Sequence, residues 1–161
     1  MNKVLAEILA LFESAMVGNI KTFYQGEVIK GVVPKDYMPA LMVWGKSTEI
    51  VRKQTGCDQF RYTVGLRVVD DLMKYVNQAG TGKKIKSQEA LIDMMEGLDV
   101  NGALKEDSVM GVLRTRSNIG GTNYLYTDNP RITYATIQVG DFWVIQAEME
   151  LEAYSEFKQF S

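Results

Sequence analysis

From Pro130 to Phe160 the chain alternates apolar and polar side chains with the period of a pleated strand, in two runs, Arg131 to Val139 and Phe142 to Ala153, separated by Gly140-Asp141. Two alternating runs joined by a two-residue turn containing glycine predict a β-hairpin. Pairing Val139 with Phe142 sets its register. Ile132, Tyr134 and Thr136 then lie opposite Met149, Ala147 and Ile145, and Trp143 extends the same face. On the other face Arg131 stands opposite Glu150 and Thr133 opposite Glu148. The first face is expected to point at a core and the second at water. An isolated hairpin is marginal in water, so the remaining chain must bring further strands or a helix layer to the apolar face.

The preceding segments offer both. In Asn2 to Met16, Leu5, Ile8, Leu9, Phe12 and Met16 recur at helical spacing, and Gly18-Asn19 suits a helix exit. Ile20 to Tyr24 reads as a short strand, followed by an irregular connection in which Val28, Ile29, Val32 and Val33 suit a small ribbon. Ala40 to Trp44 is an apolar run of buried-strand length, and polar Lys46 to Asp58 is expected to be a loop. Gln59 to Val69 alternates cleanly, with Arg61, Thr63, Gly65 and Arg67 on its polar face. Asp70 to Val76 predicts a short helix, the glycine- and lysine-rich stretch after Ala79 a loop, and Ser87 the cap of a helix that Gly97 ends. Asp107 or Ser108 caps one more helix through Arg114, and Asn118 to Asn129 shows no pattern, which is long for an idle loop. The sum is one α+β domain over residues 1–161: a mostly antiparallel sheet ending in the hairpin, with helices packed on one face.

Composition narrows the chemistry. The chain has 161 residues, enough for a substantial single core, and one cysteine, Cys57, which forbids an internal disulfide. It has no histidine, which removes the usual general base and the commonest metal ligand. A net charge of -2 gives no global attraction to nucleic acid. Glu7 and Glu13 interrupt the apolar start, which argues against a secretory leader, and no run reaches membrane-spanning length. The expected place of synthesis is the cytoplasm.

Several local patterns invite a site. Gly80-Thr-Gly-Lys83-Lys84 suggests a phosphate loop, but Asn77 stands where that motif needs its first glycine and Lys84 where it needs Ser or Thr. Asp99-Val-Asn101-Gly102 opens like a calcium loop, yet Met110 occupies the closing position, and an Asx turn explains the pattern. Asp70 and Asp71 are adjacent and point apart, so a charged helix start is their expected role. Glu148, Glu150 and Glu152 form an acidic row on one strand face, and Arg61 and Arg67 form its basic complement. Opposite faces of this kind suit a charge match between neighbouring subunits.

The order of these pieces resembles that of the tail terminator, or tail-completion, proteins of tailed bacteriophages. The resemblance lies in the amphipathic start, the apolar strand Pro39 to Gly45, the Thr55-Gly56 loop into a long alternating strand, the mid-chain helix, Gly111-Val-Leu113-Arg114, and the hairpin opening Arg131-Ile-Thr-Tyr134. It implies a structural virion protein without enzymatic activity or cofactor, forming a homo-oligomeric ring of about six subunits on the finished tail tube. Its implied partners are the tail tube protein and a neck or connector protein, with no membrane, in a virion assembled in the host cytoplasm. Under this reading Arg61, Arg67, Arg131, Glu148 and Glu150 belong to the subunit interface. Lys83, Lys84, Lys86, Asn123, Tyr124 and Tyr126 belong to loops reaching tube, neck or lumen, where basic residues would hold DNA without sequence preference. The alternatives are another neck or baseplate component, or a small domain binding an anion or nucleotide through Gly80 to Lys84.

Overall fold

The computed structural model describes residues 1–28, 33–54, 57–76, 87–116, 118–120, 123–126 and 130–158. Its frame is a seven-stranded sheet in the order β1-β2-β3-β7-β5-β4, with β6 paired to β7. The strands are β1 (Thr22–Gln25), β2 (Ala40–Gln54), β3 (Cys57–Asp71), β4 (Asn118–Gly120), β5 (Asn123–Tyr126), β6 (Thr133–Val139) and β7 (Phe142–Lys158). The helices are α1 (Asn2–Met16), α2 (Leu72–Val76), α3 (Ser87–Glu96) and α4 (Val109–Thr115). Among the described residues only β1 runs parallel to its neighbour, β2; the other ladders are antiparallel. The chain is an α+β fold with its helices on one face.

The hairpin register is the one the alternation predicts. Val139 pairs with Phe142, Thr136 with Ile145, Tyr134 with Ala147 and Thr133 with Glu148. Ile145, Ala147, Met149 and Leu151 of β7 join Val64, Leu66 and Val68 of β3 and Leu41 and Val43 of β2 in one buried face. Against it lie Leu5, Ile8, Phe12 and Met16 of α1, Leu91 and Met95 of α3, and Val109, Val112 and Leu113 of α4. Removal of these apolar surfaces from water is the main favourable contribution to the fold.

Five expectations change. Of the loop expected over Lys46 to Asp58, the described residues are instead strand, because β2 continues to Gln54 and β3 begins at Cys57. Two register shifts, between Gly45 and Ser47 and between Arg52 and Gln54, absorb the polar residues without ending the ladder. The patternless stretch from Asn118 contributes β4 and β5. Of the expected small ribbon, Val28 and Val33 lie outside any strand, and Ile29 and Val32 lie outside the described residues. The opposite face of the hairpin is also not wholly wet. Its turn end joins a second apolar cluster of Val33, Met38, Met42, Trp44, Val69 and Val144, with Ile137, Val139 and Phe142 packed beside it. Trp143, placed on the core face by parity, lies at the sheet's end and is 43% exposed.

β5 and β6 lie along the same edge of β7. Tyr126 pairs with Glu152 and Thr133 with Glu148, so on β7 only Met149, Glu150 and Leu151 separate the two pairings. The two short strands thus lie one after the other along that edge of β7.

Short polar devices fix the helix starts. Ser108 Oγ accepts from Gly111 N at 3.1 Å and so caps α4. Asp71 Oδ1 accepts from Met73 N at 3.0 Å at the start of α2. Asp70 points into the core instead, where Tyr75 donates its hydroxyl to Oδ2 at 2.6 Å and Asp71 N donates to Oδ1 at 2.9 Å. Burial, reinforced by that bond to Asp70, pushes the Tyr75 phenol well above its ordinary range. The Asx turn is present as expected: Asp99 Oδ1 accepts from Asn101 N at 2.8 Å and Ala103 N at 3.0 Å.

One glycine is required by packing. A Cβ on Gly65 would stand 2.4 Å from the indole of Trp44, which lies across β3 at that point. Gly65→Ala is therefore expected to lower stability by about 1–3 kcal/mol through overpacking. A urea titration checks this, and an unchanged midpoint would contradict the placement of Trp44.

Candidate functional site

Alternation along two long central strands sorts their charges onto the face away from the helices. Arg61, Thr63, Gly65 and Arg67 of β3 share that face with Glu148, Glu150, Glu152 and Tyr154 of β7. Arg67 stands directly opposite Glu148. Its Nη2 donates to Glu148 Oε2 and to Glu27 Oε1, each at 3.0 Å, and its Nε donates to Glu148 at 3.1 Å. The guanidinium lies 4.9 Å from the Trp44 ring centroid, and the Arg67 side chain is only 12% exposed. A cation so enclosed depends on its carboxylates, since losing a partner would strand a largely desolvated charge.

Two further pairs continue the ladder. Lys46, at the β2 bulge, pairs with Glu150. Arg61 Nη2 donates to Glu152 Oε1 at 2.6 Å, and Tyr154 donates its hydroxyl to Glu152 Oε2 at 2.8 Å. Glu49 of β2 lies 3.6 Å from Arg61 Nη1. The hydrogen bond from Arg61, with a smaller one from Tyr154, holds the Glu152 carboxyl below its ordinary range and raises the Arg61 guanidinium in return.

Part of this ladder lines an open depression of about 990 Å³. Glu148, Glu150 and Glu152 lie along its floor, Lys46 and Arg61 on one rim, and Pro130, Arg131 and Thr133 on the other. The acidic and basic strand faces are therefore brought together, but within one chain. Adjacency of β3 and β7 lets Arg67 and Arg61 find Glu148 and Glu152 as cross-strand neighbours. Glu150 takes Lys46, a residue expected in a loop. Arg131 does not extend β6 opposite Glu150; it is exposed on the groove rim.

The expected loop residues divide. Asn123, Tyr124 and Tyr126 belong to β5, where they pair with Ser155, Tyr154 and Glu152. Lys83, Lys84 and Lys86, with the whole Gly80 to Lys84 stretch, lie outside the described residues. Among the described residues there is no cluster of His, Cys, Asp and Glu arranged to hold a metal ion, and no helix is long and apolar enough to cross a membrane.

A feature the sequence reading missed is the outer edge of β2. β1 covers this edge only from Ala40 to Val43; beyond it no strand lies alongside among the described residues. Residues 45–50 are all exposed, with Ile50 at 62%. The β-branched run Thr48, Ile50, Val51 ahead of Thr55-Gly56 was the available signal. No protein-family model matches this chain, and no curated protein matches it significantly.

The Glu152 network has a pH signature. A carboxyl held low in the fold contributes stability that is present above the unfolded group's titration range and is lost as pH falls through the folded one. Glu152→Gln is therefore expected to be less stable than wild type at neutral pH, with the difference closing on acidification. Urea midpoints across an acid series test this; a difference that is constant or grows in acid would contradict the assignment.

Proposed function

We propose that this chain is a structural subunit of a tailed-phage particle, assembling as a ring that caps the completed tail tube and joins tail to neck. The carrying observation is a sheet left open at its sides. β2 beyond Val43 and the outer side of β6 both carry strand edges with no strand alongside among the described residues. Such rows of peptide N–H and C=O groups are templates for pairing with another chain. The ion-paired face supports the same reading in another way. With Arg67, Arg61 and Lys46 held by carboxylates of their own chain, that face presents charges already paired within the subunit. The tail and ring assignment itself comes from the resemblance in the order of elements, and its partners are the tube protein below and a neck or connector protein above.

Light scattering across a concentration series, with negative-stain images of the same sample, tests the proposal. Closed rings of about six copies are the expected result. A compact monomer at every concentration, unchanged by adding purified tail tubes, would overturn it.

A further inference from the structure

The geometry points to a specific joint: we propose that the Ser47 to Arg52 edge of β2 pairs antiparallel with the same edge of a second copy, across a two-fold axis at Ile50. The starting point is the hairpin turn. Residues flanking a two-residue turn form a close hydrogen-bonded pair, so Val139 and Phe142 do, and every second residue after them. Thus Phe142, Val144, Gln146 and Glu148 direct their peptide groups at β6, and Ile145, Ala147, Met149 and Leu151 direct theirs at β3. The unbroken β3–β7 register carries the alternation across, so Arg61, Thr63, Arg67 and Val69 direct theirs at β2. On β2, therefore, Ser47, Glu49 and Val51 bond to β3, whereas Thr48, Ile50 and Arg52 turn their N–H and C=O groups to the open edge. An independent contact agrees: the same parity aims the Val43 carbonyl at the edge, where it accepts from Gly26 N at 2.8 Å.

The open groups form a bounded, self-complementary set. Register shifts at Gly45/Ser47 and Arg52/Gln54 end the regular stretch on either side. Within it the edge-facing residues are spaced evenly about Ile50. A second copy turned about a two-fold axis through Ile50 and perpendicular to the sheet sets Thr48 against its Arg52, Ile50 against its Ile50, and Arg52 against its Thr48. These are all hydrogen-bonded pairs, each exchanging two N–H···O=C bonds. The same operation sets Glu49 beside Val51 of the second copy and so avoids facing two glutamates. It also covers Ile50, a β-branched side chain that is 62% exposed on an open edge. Self-complementarity selects a second copy as the occupant rather than an unrelated strand.

This joint goes beyond the ring reading and does not rest on it. A two-fold joint makes the two faces of any ring that contains it equivalent, whereas a ring with tube below and neck above has unlike faces, so the joint lies outside the capping ring, in a pair formed away from the tube or between two rings.

Paired charge variants test the register. Ile50→Lys and Ile50→Glu alter an exposed side chain, and thermal melts by circular dichroism should show each folded. By light scattering, wild type is expected as a dimer or an even multiple, each variant alone at half that mass or less, and a one-to-one mixture back at the wild-type mass. A wild-type protein that stays monomeric at every concentration overturns the joint. So does a wild-type mass that survives in each variant alone, or a mixture that fails to recover, since only a two-fold at Ile50 sets residue 50 against itself. Images separate the two proposals: pairs without rings would end the tail reading and keep the joint, and rings indifferent to Ile50 would do the reverse.

Discussion

Fifteen residues of β3 pair in unbroken register with β7, from Cys57 with Lys158 to Asp71 with Val144. Everything else in the structure takes its place from that ladder. Parity along it sends Val64, Leu66, Val68, Ala147, Met149 and Leu151 toward the helices and Arg61, Arg67, Glu148, Glu150 and Glu152 away from them. A slip of one residue would exchange the two sets, putting charge in the core and aliphatic side chains in water. The long loop between these strands is entropically costly to close, so the ladder depends on the apolar face it completes for α1, α3 and α4.

The charged face follows from the same register. Arg67 and Glu148 are cross-strand partners, and the near-complete enclosure of Arg67 against Trp44 is possible because Gly65 leaves room for the indole. Surface ion pairs contribute little each. Here their arrangement matters more than their sum, since Arg67 links the segment carrying Glu27 to β7, and Lys46 links the β2 bulge to the same strand. The result is a braced wall on one side, a helix layer on the other, and open backbone at the sheet margin. Assembly through strand edges suits that division of surfaces.

Much of this frame was legible in the sequence. Period-two alternation found β6, β7 and most of β3, and gave the hairpin register, because one buried face forces a strict pattern. Helical spacing found α1, and the capping role of Ser108 was one of two options offered by Asp107-Ser108. The far half of β2 was hidden. Lys46-Ser-Thr-Glu is exposed on both faces there, so burial imposes no alternation, and bulges shift the phase where alternation remains. β4 and β5 are too short to carry a period. The charge ladder was half visible: the acidic and basic rows were read from spacing, but which row meets which depends on strand order, and strand order is a long-range property that local pattern does not carry.

Assembly through β2 depends on which of its backbone groups face β3 and which face open solvent. Residue-resolved amide hydrogen exchange at a dilution where the protein is monomeric measures this directly. The predicted result is alternation: slow exchange at Ser47, Glu49 and Val51, fast exchange at Thr48 and Ile50, with the fast pair becoming protected as concentration rises and copies pair. Uniform protection across Ser47 to Val51 in the monomer, or fast exchange throughout it, would contradict the open edge on which the assembly proposal stands.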